Sequence, residues 1–468
     1  MSKPVLQSSP VNHADFKELF RNLTAVFDSG KTRDLAWRRA QLNAVKKMMS
    51  ECEAELFAAL KADLGKSASE SFMTETSYVS ADAAYSAKNL NRWTRKRRVS
   101  TPVFGQPGQS WIQPEPLGIV LVIGAWNYPV QLTLAGMSAA IAAGNCVVIK
   151  PSELAPATSA LLARLLPKYL DPDCVKVVEG SVPETTALLD LPFDHILYTG
   201  GGNVGRIVMA AAAKHLTPVT LELGGKSPCV VLPDANLETT ARRIAWGKFT
   251  NAGQTCIAPD YLLTDTDTEA LLVPLLEKCI REMFGDDPQK SDSYGRMVND
   301  RHFQRVSAFI ASGHTVIGGQ LDAADKYIAP TVITDVAPDS AVMREEIFGP
   351  VLPIVRADNL EEAIALIRSG DKPLSAYIFT NNKRAERKFL EQVSSGNACV
   401  NDVMMFMTVH ELPFGGVGPS GMGAYSGKRG FETFSHMKAV MKRGWWPDLA
   451  LRYAPYTDKK LNLLRKIR

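Results

Sequence analysis

From Leu117 onward, short apolar stretches alternate with helical ones, and this alternation limits the possible folds more than any other feature. The strand candidates of the first half are Ile119–Ile123, Val147–Ile149, Val175–Val178, Ile196–Tyr198 and Val219–Leu221. Those of the second half are Cys229–Leu232, Tyr261–Leu263, Val351–Val355, Ala376–Phe379 and Ala398–Val400. Because strands that alternate with helices usually pair in parallel, the pattern predicts two doubly wound α/β domains, joined near Gly224–Gly225.

The residues before Leu117 follow other patterns. Apolar residues recur at helical spacing through the first sixty or so positions, which predicts helices there. The basic, Pro/Gly-rich stretch Arg92–Pro116 is typical of a linker or extended structure. The hydrophobic content of 46% and charged content of 22% are those of a soluble globular protein and exclude a disordered or fibrous one.

The sequence shows no targeting signal. Met1–Asn12 is polar, and the longest apolar stretch, Leu117–Trp126, is shorter than the roughly 20 residues of a membrane helix. The seven cysteines contain no Cys-x-x-Cys pair, which argues against a disulfide framework and a clustered zinc site. We therefore expect a cytoplasmic protein without a metal site.

The glycine-rich segment that begins at Gly200 is a candidate phosphate site. Gly200, Gly201 and Gly205 follow a predicted strand and precede a helical stretch, Arg206–Lys214. Glycines there let a phosphate approach the backbone, and the helix N-terminus offers free N–H groups. The spacing is not that of the common dinucleotide motif, and a plain strand-to-helix turn is the alternative.

Lys150 and Glu153 follow another strand candidate. A lysine there can bind ribose hydroxyls or a phosphate, and the carboxylate can accept from a ribose 2′-hydroxyl, as in NAD sites. Glu153 would repel a 2′-phosphate, which favours NAD over NADP. The alternative is a helix start capped by Ser152 or Glu153.

Cys256 and Glu222 are candidates for covalent chemistry. Small and polar residues surround Cys256, so its thiol is expected to be accessible, whereas a lone cysteine is usually buried and inert. We expect that inert role for the other six. Glu222 follows an apolar strand, where burial raises a carboxyl pKa and suits a general base; a salt-bridged structural glutamate is the alternative. For His410 we expect a packing role.

Several motifs in fixed order carry a family resemblance. These are Trp126-Asn127, Gly144–Glu153, Leu221–Pro228, Gln254-Thr-Cys256 and Glu345–Pro350. Together they resemble the aldehyde dehydrogenase superfamily. Two longer segments, Phe249–Tyr261 and Pro413–Tyr425, are similar to its class 3 branch, which includes fatty and coniferyl aldehyde dehydrogenases.

The resemblance implies oxidation of an aldehyde to a carboxylic acid with NAD, and with NADP as an alternative cofactor. Cys256 matches the nucleophile, Asn127 the oxyanion donor together with the Cys256 backbone N–H, and Glu222 the base that activates water. The positions that match cofactor contacts are Trp126, Lys150, Glu153, Gly200, Gly201, Gly205, Glu346 and Phe348. The third consecutive glycine, Gly202, departs from relatives and leaves the phosphate contacts open.

The resemblance also implies an α/β fold of aldehyde dehydrogenase type, in a homodimer. A Rossmann-type cofactor domain would comprise residues 1–94 and 117–223, and an α/β catalytic domain residues 224–430. A small bridging or oligomerisation element would comprise residues 95–116 and 431–468, with the basic C-terminal tail.

The substrate is expected to be a long or bulky apolar aldehyde. The stretch Val403–Met407 aligns with the region where substrate enters, and methionine adapts to varied apolar shapes. Trp246, Thr250 and Met407 would line the tunnel. The alternative is that the methionines belong to an ordinary core.

Three other functions fit parts of the sequence. A CoA-acylating aldehyde dehydrogenase would not need Glu222, and a cysteine hydrolase leaves Lys150, Glu153 and Glu346 unexplained. A nucleic-acid-binding protein would use the basic run Arg92–Arg98, but such runs are usually solvated and no nucleic-acid motif accompanies it.

The net charge of +4 is concentrated in the tail. Lys442–Arg468 contains eight Lys or Arg and two Asp, a net charge of +6, so the rest of the chain carries −2. Trp445 and Trp446 precede leucines interspersed with basic residues. Such a segment can lie on an anionic membrane surface, which would make the protein peripheral to a membrane. Docking on the partner subunit of a dimer is the alternative.

Overall fold

A computed structural model describes residues 13–467 of the 468-residue chain. The polar segment Met1–Asn12 and the last tail residue, Arg468, lie outside the described residues. Within residues 13–467, no helix is both long enough and apolar enough to cross a membrane.

The described chain alternates helices and strands over most of its length. The helices are α1 His13–Asp28, α2 Leu35–Glu51, α3 Glu53–Leu64, α4 Ala68–Ser71, α5 Ser77–Trp93, α6 Gln131–Ala143, α7 Pro156–Tyr169, α8 Val182–Leu189, α9 Gly202–Ala213, α10 Leu237–Phe249, α11 Thr266–Phe284, α12 Asp300–Ala308, α13 Ala341–Arg344, α14 Leu360–Ser369, α15 Lys383–Gln392, α16 Gly427–Thr433 and α17 Asp458–Ile467. The strands are β1 Arg97–Val99, β2 Gly108–Pro116, β3 Ile119–Ile123, β4 Cys146–Lys150, β5 Val175–Val177, β6 His195–Thr199, β7 Val219–Glu222, β8 Pro228–Val231, β9 Tyr261–Thr264, β10 His314–Ile317, β11 Leu321–Asp322, β12 Tyr327–Ile328, β13 Thr331–Thr334, β14 Val351–Arg356, β15 Ser375–Phe379, β16 Asn397–Val400, β17 Gly421–Met422 and β18 Ser435–Arg443.

The N-terminal segment is helical, as predicted. Asp34 caps α2, since its carboxylate accepts the N–H of Ala36 at 3.1 Å. One π-helical turn, Phe72–Thr76, joins α4 to α5, and the spacing of apolar residues did not indicate it.

The first sheet has the strand order β17-β7-β6-β3-β4-β5. Strands β3 to β7 run parallel, and β17 pairs antiparallel with β7. Every residue of β3, β4 and β6 is buried, as expected when helices cover both faces of a parallel sheet. The five strands predicted for the first half are confirmed.

The second sheet has the order β10-β13-β14-β9-β8-β15-β16. The pairs from β13 to β16 are parallel, and β10 is an antiparallel edge strand. The five strands predicted for the second half are confirmed. Strands β10 and β13 were not predicted, although β13 is fully buried between two neighbours.

The third sheet is antiparallel and consists of β1, β2 and β18. The register of β2 and β18 runs from Pro116 opposite Ser435 to Gly108 opposite Arg443. Of the two structures predicted for residues 92–116, the extended one is therefore present. The division into three domains stays a prediction; the described contacts add that β17 and α16 pack against the first sheet and its helix α6.

The parallel strands of the first sheet end at one edge, where ligands of such sheets bind. The loops after β3, β4, β6 and β7 carry Asn127, Lys150, Gly200 and Glu222 at or just beyond the strand ends.

Candidate active site

The loop that carries Cys256 begins with a strained turn, Thr250–Gly253, directly after α10. Asn251 has a φ of 53°, a left-handed conformation that costs a residue other than glycine about 1–3 kcal/mol. Gly253 follows with a φ of +73°, and a Cβ at this position would collide with the carbonyl group of Gly349. A turn of this kind persists only where surrounding contacts hold it.

Gln254 supplies several of those contacts from the interior. Its side chain is fully buried, and its Nε2 donates to the carbonyl oxygens of Asn251 and Arg296, each at 3.0 Å. Its Oε1 accepts the N–H of Val298 at 2.9 Å. The turn is therefore fixed to the chain that precedes α12.

Asn127 lies on the loop that follows β3 of the first sheet, and it contacts the same turn. Its side chain is buried, and its Nδ2 donates to the carbonyl oxygen of Gln254 at 3.0 Å. In return, Nδ2 of Asn251 donates to the carbonyl oxygen of Asn127 at 2.8 Å. These two bonds place Asn127 beside the residues that lead into Cys256.

The Cys256 thiol is partly exposed. Burial, together with the nearby carboxylates of Glu346 and Glu222, raises its pKa. Since only the thiolate is strongly nucleophilic, the thiol needs a base to take its proton near neutral pH. The expected accessible cysteine is present, but its surroundings do not by themselves favour the thiolate.

Glu222 is the last residue of β7 and is almost fully buried. Neither carboxylate oxygen has a hydrogen-bond partner within residues 13–467. Burial raises its pKa well above the ordinary value. Glu222 is therefore not the salt-bridged structural glutamate of the alternative interpretation, and its position near Cys256 suits a base.

Glu346 also lies near Cys256, since its carboxylate contributes to the raised pKa of the thiol. Its Oε1 is buried without a partner in the described chain, while the carboxylate accepts the N–H of Gly225. Burial, with a smaller contribution from Asp260, raises its pKa to about 8. A Cβ on Gly224 would collide with this carboxylate, so the glycine leaves the space that Glu346 occupies.

Phe348 and Trp126 form an aromatic cluster near Glu346. Their ring centroids are 5.3 Å apart in an edge-to-face arrangement, and the ring of His302 lies 5.2 Å from Trp126. Desolvation lowers the pKa of His302 to about 4, so its ring is neutral at physiological pH. The cluster offers apolar faces next to a buried carboxylate.

Lys150 and Glu153 contact each other at the end of β4. The Lys150 Nζ donates to Glu153 Oε2 at 3.0 Å and to the carbonyl oxygen of Gly180 at 2.9 Å. Helix α7 begins three residues later, and neither Ser152 nor Glu153 caps it, because Ala155 is the N-cap residue. The helix-cap alternative for this pair is therefore wrong.

The candidate phosphate-site glycines Gly200, Gly201 and Gly205 differ in the space around them. A Cβ on Gly200 would collide with the hydroxyl of Tyr198, and one on Gly205 would lie 2.8 Å from Leu223 Cδ2. A Cβ on Gly201 would meet nothing within 4 Å. Helix α9 begins at Gly202 without a side-chain cap, so its N-terminal N–H groups face an open approach for an anion.

The comparisons with known proteins identify the family of the chain. The sequence profile of the aldehyde dehydrogenase family matches residues 2–440. The chain belongs to the aldehyde dehydrogenase family. It is 49% identical over 444 residues to the dimeric NADP-preferring aldehyde dehydrogenase of Canis lupus familiaris, covering 94% of this chain and 98% of the relative. It is 46% identical over 442 residues to aldehyde dehydrogenase family 3 member A2 of Mus musculus, covering 94% and 91%.

Solved structures of the family have the same fold. The substrate-bound AldH of Staphylococcus aureus superposes with a TM-score of 0.94 at 40% identity, covering 97% of this chain and 99% of that one. The expected family, its fold and an NAD(P)-dependent oxidoreductase activity are thereby confirmed.

Two of the residues expected to line a substrate tunnel in this aldehyde dehydrogenase, Trp246 and Thr250, lie in α10 and in the turn that precedes Cys256. Trp246 and Met407 are partly buried and pack, like Cys256, against the larger hydrophobic core. The Thr250 hydroxyl donates to the carbonyl oxygen of Trp246 at 2.7 Å. The methionines of the stretch Val403–Met407 differ in exposure, since Met404 is buried in the core and Met405 is 41% exposed.

A lysine that the sequence analysis did not single out holds the segment with Glu346. The Lys226 Nζ contacts a carboxylate oxygen of Asp260 at 2.5 Å and donates to the carbonyl oxygen of Glu345 at 3.0 Å. The other oxygen of Asp260 accepts the N–H of Ile347 at 3.0 Å. The only signal in the sequence was the position of Lys226 directly after Gly224-Gly225.

His410 was expected to have a packing role, and the cysteines other than Cys256 were expected to be inert. His410 stacks on Tyr85 with a centroid distance of 4.9 Å, and its Nδ1 is 3.7 Å from Asp82, in agreement with a packing role. Five of the six other cysteines are buried as expected, and Cys399 is partly exposed. Between residues 13 and 467, no cluster of three potential metal ligands occurs.

We predict that Gly224→Ala weakens cofactor binding. The added methyl group displaces the Glu346 carboxylate, which the family resemblance assigns to the nicotinamide ribose. The dissociation constant for NAD should rise about tenfold or more, the equivalent of about 1.4 kcal/mol. Quenching of tryptophan fluorescence on titration with NAD measures it.

Gly370→Ala is the control for this substitution, because a Cβ there meets only a carbonyl oxygen at 3.8 Å. An unchanged dissociation constant in Gly224→Ala would contradict the assignment of Glu346.

Proposed function

We propose that this protein oxidises an apolar aldehyde to its carboxylic acid through a covalent thioester on Cys256. One observation carries the proposal: Asn127, the oxyanion candidate, is hydrogen-bonded to the turn that leads into Cys256, and Glu222, a buried carboxylate with both oxygens unpaired in the described chain, is near enough to raise the pKa of the Cys256 thiol. An unpaired buried carboxylate is costly, and it is therefore typical of a site where the charge is used.

In the first step, the Cys256 sulfur attacks the aldehyde carbon after its proton passes to a base. The raised pKa of the thiol makes this base necessary. The carbonyl oxygen becomes an oxyanion, which accepts from the Cys256 backbone N–H and from Asn127 Nδ2. An amide carries two N–H groups, and Gln254 takes one of those of Asn127. Loss of such a donor costs about 10²–10³ in rate.

The residues at the sheet edge fit a nicotinamide cofactor. Glu346 would hold the nicotinamide ribose, Phe348 and Trp126 would border the ring, and Gly200, Gly201 and Gly205 would leave room for the phosphates. When bound, the nicotinamide would supply the acceptor for the hydride, and Cys256 would retain the acyl group as a thioester. The unpaired Oε1 of Glu346 supports this fit, because a ribose hydroxyl would give it a partner.

Lys150 and Glu153 would contact the adenosine ribose. The ammonium group of Lys150 offsets the charge of Glu153, and the Glu153 side chain is 44% exposed, so it can turn away from a 2′-phosphate. We propose NAD as cofactor with NADP also accepted. The relative from Canis lupus familiaris is named NADP-preferring.

In the last step, Glu222 takes a proton from water, which attacks the thioester and releases the acid. Burial gives the carboxylate the basicity that this step needs. Activation of water by Glu222 would also favour hydrolysis over transfer of the acyl group to CoA.

The substrate would reach Cys256 past apolar side chains. Trp246 and Met407 pack against the same core as Cys256, and Met405 and Val409 are 41% and 45% exposed on the adjoining loop. These side chains suit a long or bulky apolar aldehyde.

The protein would act as a homodimer. The relative from Canis lupus familiaris is named dimeric, and β16 and β18 each lie at the edge of a sheet with backbone groups free to pair with a second chain.

The C-terminal tail would bring the enzyme to a membrane surface. Trp445 and Trp446 are 99% and 85% exposed, and leucines of α17 are exposed beside Lys459, Lys460, Arg465 and Lys466. Tryptophan and basic side chains together are typical of segments that lie on anionic lipid.

Two substitutions test the mechanism. Cys256→Ala should abolish oxidation, and Glu222→Gln should give one rapid burst of NADH and then stop, because the thioester is not hydrolysed. Absorbance of the reduced nicotinamide measures both. The steady rate of the unchanged enzyme should rise with pH well above the ordinary carboxyl range, since Glu222 acts only when deprotonated and its pKa is raised. Normal activity of Cys256→Ala would contradict the mechanism.

The substrate proposal predicts that kcat/KM rises from acetaldehyde to decanal. Each methylene that becomes buried contributes up to about 0.8 kcal/mol. Met407→Ser should flatten the rise, whereas Met441→Ser on the exposed face of β18 should not. A preference for acetaldehyde would remove the proposal.

The tail proposal is tested by flotation with vesicles. The full chain should float with vesicles that contain phosphatidylserine, and a chain ending at Gly444 should not. That truncation keeps β18 complete. If neither floats and light scattering shows the truncated chain as a monomer, the tail binds the partner subunit instead.

A further inference from the structure

Three charged side chains lie inside the protein near Asn127, and the proposed reaction uses none of them. Lys66 and Glu75 are fully buried, and Glu70 is 8% exposed. They come from the N-terminal segment at α4 and the π-helical turn, a part of the chain far from Cys256 in sequence. Charged groups at this depth are rare unless they are paired.

Lys66 binds both a carboxylate and the backbone of Asn127. Its Nζ donates to Glu75 Oε1 at 2.6 Å and to the carbonyl oxygen of Asn127 at 2.9 Å. The same ammonium group lies 3.9 Å from the ring centroid of Tyr128. Three separate contacts therefore fix the lysine against the loop after β3.

Glu75 holds the other end of that loop. Its Oε2 accepts the N–H of Val130 at 3.1 Å and the N–H of Gln131 at 2.8 Å. These are the first amides of α6, and Val130 provides no side-chain cap for them. The negative charge also lies at the positive end of the helix dipole.

The loop between Asn127 and Gln131 is thus held at both ends by one ion pair. The ammonium group binds the carbonyl oxygen at its start, and the carboxylate binds the amides at its end. With the backbone held, the position of the Asn127 side-chain amide depends only on rotation of its short side chain. The hydrogen bond to the carbonyl oxygen of Gln254 sets that rotation.

Glu70 connects this cluster to the nucleophile loop. Its carboxylate accepts the backbone N–H of Asn251, the strained residue whose side chain donates to Asn127. The Lys66 charge acts on both carboxylates. The oxyanion candidate and the nucleophile turn therefore share one buried charge cluster.

A buried ion pair usually stabilises a fold no more than apolar side chains of the same volume would. The ion pair matters here because it fixes positions, and the reaction rate falls steeply when a catalytic group moves by about 1 Å. We propose that Lys66 and Glu75 are positioning residues, which act on the reaction by holding Asn127 where its amide donates to the oxyanion. This inference rests on the proposed role of Asn127.

The first test is the acylation of Cys256 by p-nitrophenyl acetate, which needs no cofactor and is read from the burst of p-nitrophenolate. Lys66→Met should slow this burst about 10- to 100-fold. With NAD and an aldehyde, kcat should fall while KM stays nearly unchanged, because the oxyanion contact exists only after attack.

The deciding variant is the double substitution. If Lys66 acts through Asn127, Lys66→Met should slow acylation further by no more than about threefold in the Asn127→Ala background. Two full and additive losses would overturn the positioning role while leaving the oxyanion role of Asn127 intact. An Asn127→Ala enzyme with normal acylation would remove the oxyanion role, and the positioning role with it.

Glu75→Gln gives a milder version of the same test. It keeps an oxygen for the amides of Val130 and Gln131 and removes the charge that faces Lys66. Its acylation rate should lie between those of the unchanged enzyme and Glu75→Ala. The proposal can therefore be tested even if Lys66→Met does not fold. It would be overturned if the acylation rate were the same in the unchanged enzyme, Glu75→Gln and Glu75→Ala.

Arg38→Met is the matched control for loss of a buried cation. Arg38 is also buried, and it donates to the carbonyl oxygen of Ala142 at 3.2 Å, at the opposite end of α6. Its substitution should lower the thermal unfolding midpoint as Lys66→Met does and change the acylation rate less than about twofold. A loss of acylation as large as that of Lys66→Met would show that general destabilisation explains both.

Discussion

Two reciprocal amide bonds between Asn127 and the turn before Cys256 are the contact on which the site depends. Asn127 follows a strand of the first sheet, and Asn251 and Gln254 belong to the chain of the second. This contact joins the loop of the oxyanion donor directly to the loop of the nucleophile and so helps to set the distance between them. The left-handed turn that presents Cys256 is also strained, so the same bonds that align the groups help to keep that conformation populated.

The buried carboxylates of the protein differ in whether their oxygens have hydrogen-bond partners. Glu75 and Asp260 are buried but satisfied by a lysine and by backbone amides. Glu222 and one oxygen of Glu346 are buried and have no partner within the described residues. Satisfied carboxylates fix the positions of other groups, whereas the unpaired oxygens of Glu222 and Glu346 are available to a water molecule and to a ribose hydroxyl. Part of the stability of the fold is in this way given up at the site.

Much of this arrangement follows from the sequence, because it depends on local patterns. Ten strands were predicted from short apolar runs, and Asn127, Glu222 and Cys256 were found in motifs next to them. Lys66, Glu75 and Lys226 were not found, since their roles depend on contacts between segments far apart in the chain. Strand β10 was missed because it is partly exposed at the edge of its sheet and lacks a clear apolar pattern, whereas β13 was missed although all its residues are buried. The third sheet was also not predicted from local patterns, because its strand β2 pairs with β18 from the far end of the chain.

The pairing of β17 with β7 sets a condition on how the enzyme is made. Gly421 lies opposite Glu222, and the N–H of Leu223 donates to the carbonyl oxygen of Ser420 at 3.1 Å. The base is therefore enclosed by a segment that leaves the ribosome about 200 residues after it, a contact of high sequence separation that forms late. Until then, the strand that carries Glu222 is the open edge of the first sheet. A nascent chain can thus hold its cysteine loop and its cofactor strands and still lack the enclosed carboxylate that completes turnover.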